Sequence, residues 1–91
     1  MKLSVKFTSK FKKDGKRIAR QGKDIEHMFL VIEKLANLEK LEEKYRDHQL
    51  TGNFADYREC HLAPDWLLIY KVCKEELILV LTRTGSHSDL F

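Results

Sequence analysis

Cysteine is scarce in this chain: Cys60 and Cys73 are the two copies in 91 residues. They are too few and too far apart for a disulfide framework or a compact zinc site, and both are expected to be reduced packing residues. Long apolar runs are absent. None approaches the roughly 20 residues of a membrane span, and Met1-Lys2-Leu3-Ser4-Val5-Lys6 lacks the apolar stretch of a secretory signal, so a cytoplasmic location with no membrane partner is expected. Proline occurs once and glycine four times, and no repeat, low-complexity tract or linker divides the sequence. The length excludes a second catalytic domain. One domain over residues 1–91 is expected, with its activity on the surface of one small core.

What is present reads as an ordinary folded protein, 43% hydrophobic and 34% charged. The net charge of +3 is unevenly spread: residues 1–23 hold nine Lys/Arg against one acid, and residues 24–91 hold eight against thirteen. The basic end, with Lys12, Lys13, Lys16 and Arg17 at its centre, suits contact with phosphates, although a solvated helix face would look the same.

Leu3, Val5 and Phe7 alternate with polar residues, which predicts a strand. Ser9 is placed to cap a first helix that ends near Gln21, with Gly22 as its stop. A second helix opens at Asp24, and its apolar residues Ile25, Met28, Phe29, Ile32, Leu35 and Ala36 recur at helical spacing and should face the core. His27 lies among polar neighbours and is expected to face solvent. Residues 37–44 suit either a helical turn or a packed loop. Three strands follow, at 57–62, 66–72 and 77–84, with Ala63-Pro64-Asp65-Trp66 as the first turn and Lys74-Glu75-Glu76 closing the next. The fold class predicted is α+β, an N-terminal strand and two helices packed on a small antiparallel sheet.

Hairpin arithmetic then brings the chemistry together. Pairing 57–62 with 66–72 puts His61, Asp65 and Trp66 at one end of the sheet. The last strand returns to that end, which places Arg83 near Trp66 or Leu67, and Gly85 lets the chain turn so that His87 and Phe91 fold over the same edge. Imidazoles beside a carboxylate and an arginine suit RNA cleavage in which the 2′-hydroxyl attacks the adjacent phosphorus. One group removes that proton, another protonates the departing 5′-oxygen, and a cation offsets charge on the phosphoryl oxygens. Histidine fits both proton tasks, its unperturbed pKa being about 6.5. Phe91 or Trp66 could hold a base by stacking, with core packing an equal alternative for Trp66. A zinc site from His48, His61, Asp65 and His87 matches by ligand type, but no compact spacing supports it.

Three stretches carry a resemblance to a known family: Tyr45-Arg46-Asp47-His48-Gln49-Leu50-Thr51-Gly52, then Tyr57 through Lys71, and finally Arg83-Thr84-Gly85-Ser86-His87-Ser88-Asp89-Leu90-Phe91. Together they resemble the YafQ-type mRNA interferases of the RelE/ParE toxin superfamily, over most of residues 45–91. Position 49 is Gln where that family often has proline, a change expected to loosen the loop carrying His48. The resemblance implies a RelE-like microbial ribonuclease fold and a toxin that enters the ribosomal A site and cuts translated mRNA. It implies no metal or other cofactor, and a cognate antitoxin that restrains the toxin and links it to DNA only indirectly. Carried over by position, the functional set is His48, His61, Asp65, Trp66, His87 and Phe91, with Arg83 as the phosphate-stabilising arginine. His61 or His48 would act as base, Asp65 would orient a neighbouring imidazole and His87 would act as acid. Two other readings share the fold or the composition: a ParE-like toxin that inhibits gyrase, and a non-catalytic RNA-binding module built on Trp66, Phe91 and the basic helix.

Overall fold

The computed structural model describes residues 2–91; of the expected 1–91 domain, Met1 lies outside the described residues. Strand β1 spans Ser4–Phe7, helix α1 Ser9–Arg20 and helix α2 Ile25–Ala36; strands β2 to β5 span His48–Gln49, Arg58–Ala63, Trp66–Cys73 and Ile78–Gly85, and a short helix α3 spans His87–Leu90. The strands form one sheet in the order β1-β5-β4-β3-β2. The expected three-stranded antiparallel meander is its centre, joined by two strands that the periodicity did not assign to it. Strand β1 adds to β5 in parallel, Ser4 opposite Ile78 and Phe7 opposite Leu81, and β2 adds antiparallel to β3. The sheet is therefore mixed.

Both long helices start at side-chain caps. Thr8, one residue before the expected Ser9, accepts from the Phe11 N–H, and Asp24 accepts from the His27 N–H. Each cap satisfies a donor that the first helical turn leaves free. Helix α1 stops at Gln21, and Gly22 continues the chain at φ +76°. Helix α2 buries Met28, Val31, Ile32, Leu35 and Ala36. Phe29 was expected with them but is 47% exposed, because the inward stripe turns through Val31 instead.

The core lies between one sheet face, which contributes Cys60, Leu62, Trp66, Leu68, Tyr70, Leu79 and Leu81, and the helices, with Phe11 and Ile18 of α1 joining the buried stripe of α2. Burial pushes the Cys60 thiol up to about 12, helped by nearby Asp47 and Glu59, so it packs as an inert apolar group. Leu67 and Ile69 point to the opposite face, yet both are buried. In register beside them on that second face stand Glu59 and His61 from β3, His48 from β2, and Arg83 from β5.

Candidate active site

The second face takes its polar residues from four elements. Glu59 and His61 share it because strand side chains alternate, and His48 joins them directly opposite Glu59. After β5, Gly85 turns the chain into α3, whose Ser86–Asp89 capping box fixes the orientation of His87. A Cβ on Gly85 would lie 2.6 Å from Nη2 of Arg17 and 3.1 Å from Asp89, so only glycine fits that approach. The three imidazoles form a row: the ring centres of His48 and His61 are 6.4 Å apart, and those of His61 and His87 are 5.9 Å apart.

Each end of the row has a carboxylate. Asp65, in the turn after β3, accepts from the His87 ring through Nδ1 at 2.9 Å and from the His87 backbone N–H at 3.1 Å. The ring bond, then the backbone bond, holds the Asp65 carboxyl below the ordinary carboxylate value. With Nδ1 donating to Asp65, Nε2 is the nitrogen His87 has left for a substrate. His48 donates from Nδ1 to the Arg46 carbonyl at 2.6 Å, and its Nε2 lies 3.2 Å from Glu59 Oε2. Both neighbours are acceptors. Arg46 reaches that position in the left-handed region, at φ +49°. The middle ring, His61, makes no side-chain hydrogen bond among the described residues.

Several residues stand elsewhere than the sequence suggested. Arg83 faces Ile69 and not Trp66 or Leu67, because residues 74–77 all belong to the second hairpin turn and Thr82 is an extra residue where the β4–β5 register shifts. Its guanidinium is held by Asp14, Nε to Oδ2 at 2.7 Å and Nη2 to Oδ1 at 3.2 Å. Trp66 is 3% exposed and donates from Nε1 to Thr84 Oγ1 at 2.9 Å, so the choice between stacking and packing falls to packing. Arg17, expected on the basic face, is half-buried and engaged within the fold. It bonds Asp14 at 3.0 Å and the Thr84 carbonyl at 2.9 Å, and lies 3.6 Å from Asp89. Lys12, Lys13 and Lys16 do remain exposed on α1.

His27 is half-buried and not free in solvent: its Nε2 donates to the Leu62 carbonyl at 3.2 Å, and its ring stacks on Tyr45 at 5.9 Å. Gln49, expected to loosen its loop, ties it instead by donating from Nε2 to the Ala55 carbonyl at 2.7 Å.

Two acids are functional neighbours that the sequence did not single out. Glu59 sits two residues before His61 and so on its face, a spacing that could have marked it. Asp14 is 2% exposed and accepts from Arg83, Arg17 and the Thr84 N–H. Burial pushes its carboxyl up, but these hydrogen bonds outweigh it and leave Asp14 below the usual carboxylate range. Through Arg17 and Asp89 this buried acid also braces α3, and with it His87.

The fold is a mixed sheet that carries a row of imidazoles with carboxylate neighbours on one face, and its class is that of the toxins of bacterial toxin–antitoxin systems. Residues 3–91 match the profile described as a bacterial toxin of type II toxin–antitoxin systems, YafQ; the chain belongs to this family. The mRNA interferase toxin YafQ of Escherichia coli K12 is 34% identical over 88 residues, covering 96% of this chain and 94% of that protein. A metal-bound toxin from Helicobacter pylori is 45% identical with a TM-score of 0.93, over 98% of this chain and 99% of the other. YafQ in the E. coli DinJ-YafQ toxin-antitoxin complex is 33% identical with a TM-score of 0.89, over 100% of this chain and 99% of the other. Among the described residues of this chain, no group of three or more His, Cys, Asp and Glu is arranged to hold a metal ion. Nor is any helix among them long and apolar enough to cross a membrane.

Proposed function

We propose that this toxin is an endoribonuclease that acts in the ribosomal A site on translated mRNA, working by side-chain acid–base catalysis and restrained by a cognate antitoxin. One observation carries the catalytic reading: three imidazoles stand in a row on one sheet face, with Asp65 holding the ring at one end. The kinship with proteins named mRNA interferase toxins supplies the substrate class.

In this reading His61 is the base, because its ring is the unengaged one and it neighbours the acid. It takes the 2′-hydroxyl proton as the 2′-oxygen forms its bond to phosphorus. The P–O5′ bond breaks, and His87 delivers a proton from Nε2 to the departing 5′-oxygen. The products are a 2′,3′-cyclic phosphate and a 5′-hydroxyl. His48, hydrogen-bonded to the Arg46 carbonyl and 3.2 Å from Glu59, stands at the other end of the row, where it positions the phosphate beside His61. Arg83 contributes less than the resemblance implies, because Asp14 takes up much of its charge.

The test is cleavage of a translated mRNA by folded His61→Ala and His87→Ala proteins. Each is expected to lose about 10²–10⁴-fold in rate, the usual range for removing a general acid or base. Full activity in both would sink the histidine mechanism. A gyrase supercoiling assay run in parallel separates the ParE-like alternative, which predicts inhibition with no RNA product.

A further inference from the structure

Beyond the imidazole row, the same sheet face holds a second hollow. It encloses about 400 Å³ over Ile69, and Lys10, Asn53, Phe54, Tyr57, Arg83 and Phe91 are among the residues that line it. Three aromatic rings meet there. Phe54 and Phe91 pack edge-to-face at 5.9 Å, and Phe54 and Tyr57 at 6.5 Å. Phe54 is 44% exposed and Phe91 61% exposed, large apolar surfaces left open to water.

The rim is cationic. Lys10 is exposed, Arg83 presents the part of its guanidinium that Asp14 does not hold, and among the described residues no Asp or Glu side chain lines the hollow. Its loop is fixed in place, with Gln49 bonded to the Ala55 carbonyl at 2.7 Å and the Tyr57 N–H to the Phe54 carbonyl at 2.9 Å. It is continuous with the site described above, since α3 carries His87 at one end and Phe91 follows the other.

We propose that this hollow binds one nucleotide of single-stranded RNA beside the cleaved bond. Its base stacks on Phe54 and meets the Phe91 ring, which stands at 82° to Phe54, edge-on; the base edge meets the Asn53 amide, and the phosphate lies toward Lys10 and Arg83. Aromatic faces hold unpaired bases in single-stranded RNA, while cations track the backbone. Asparagine offers both donors and an acceptor, so it distinguishes one base edge from another. Asn53 is thus a specificity-determining residue. The inference rests on the RNA-cleaving reading above, and its test is arranged to fail separately.

Cut sites of the wild type, Phe54→Ala and Asn53→Ala are mapped on one translated mRNA. Binding of 2′-O-methyl pentanucleotides, which lack the attacking hydroxyl, is measured on the same proteins. Phe54→Ala is expected to weaken pentanucleotide binding by roughly 5–100-fold, the loss expected for one base stack, with Phe54→Trp restoring it. Asn53→Ala is expected to redistribute the cuts among flanking bases. Lys10→Ala, an exposed change that spares the core, should weaken binding and lower its salt slope by about one phosphate contact. If Phe54→Ala fails to fold, Asn53→Ala and Lys10→Ala decide the matter alone.

A wild type that cuts mRNA, with binding and cut sites unchanged in the folded variants, overturns the subsite and leaves the nuclease reading intact. A wild type that cuts nothing, yet loses pentanucleotide binding in Phe54→Ala, keeps the subsite and overturns the nuclease reading.

Discussion

Asp14 shows how one buried charge can govern a surface site. Its carboxylate is shared between Arg83, Arg17 and the Thr84 N–H, and removing one partner of such a network leaves the others uncompensated. Arg83 and Arg17 are partly exposed, so Asp14→Ala should fall at the low end of the range for breaking a buried pair, about 3 kcal/mol at neutral pH. That is a large share of what a domain this small has to lose. The pH dependence follows from the lowered carboxyl. Asp14 contributes fully above its ordinary value of 3.8 and loses that contribution as the pH falls through its lower folded value. Chemical denaturation of wild type and Asp14→Ala should therefore differ most near neutrality and converge below pH 3.8; a constant gap across the range would refute it. The acid was legible in principle: Phe11, Asp14 and Ile18 sit at helical spacing, and the middle position of an inward stripe is no place for an unpaired charge. Its partners Arg83 and Thr84, 69 and 70 residues away along the chain, were not.

Among the elements, the hairpins were the most readable. Period-two apolar runs and the Pro64 turn set β3 and β4 to within a residue or two, and the return of β5 to the same end brought His61, Asp65 and His87 together. What escaped was local arithmetic: the four-residue turn and the extra Thr82 move Arg83 to Ile69, and nothing in the composition marks either. The parallel pairing of β1 was equally hidden, because its partner strand lies at the far end of the chain. Helix α3 depends on the close passage of Arg17 over Gly85. Gly85→Ala should push Arg17 and Asp89 apart, cost about 1–3 kcal/mol as an overpacking change, and lower cleavage by misplacing His87. Gly15, in the middle of α1, has nothing within 4 Å of the point where an alanine methyl would sit, and Gly15→Ala should instead stabilise by about 0.5–1 kcal/mol through helix propensity. Thermal unfolding of the two variants, expected to shift in opposite directions, checks both.

At the scale of the whole molecule the charge asymmetry of the sequence becomes a surface. Lys12, Lys13 and Lys16 are exposed on α1, whereas Arg17, expected among them, is half-buried and bonded to Asp14 and the Thr84 carbonyl. Reversing the three lysines to Glu should weaken ribosome binding and flatten its dependence on salt, since the slope falls by nearly one for every phosphate that is no longer neutralised. Cleavage of a short RNA at saturating enzyme should change far less. Equal salt slopes for the two proteins would remove the basic face from the account. The pairing of β1 with β5 has a consequence for how the protein is made. Ser4–Phe7 can join the sheet only through Ile78–Leu81, so during synthesis the first strand waits for nearly the whole chain. Such long-range closure comes late in folding. A nascent chain still threaded through the ribosome lacks its completed sheet, and His87 is not yet beside His61: the row of imidazoles comes into being only after release.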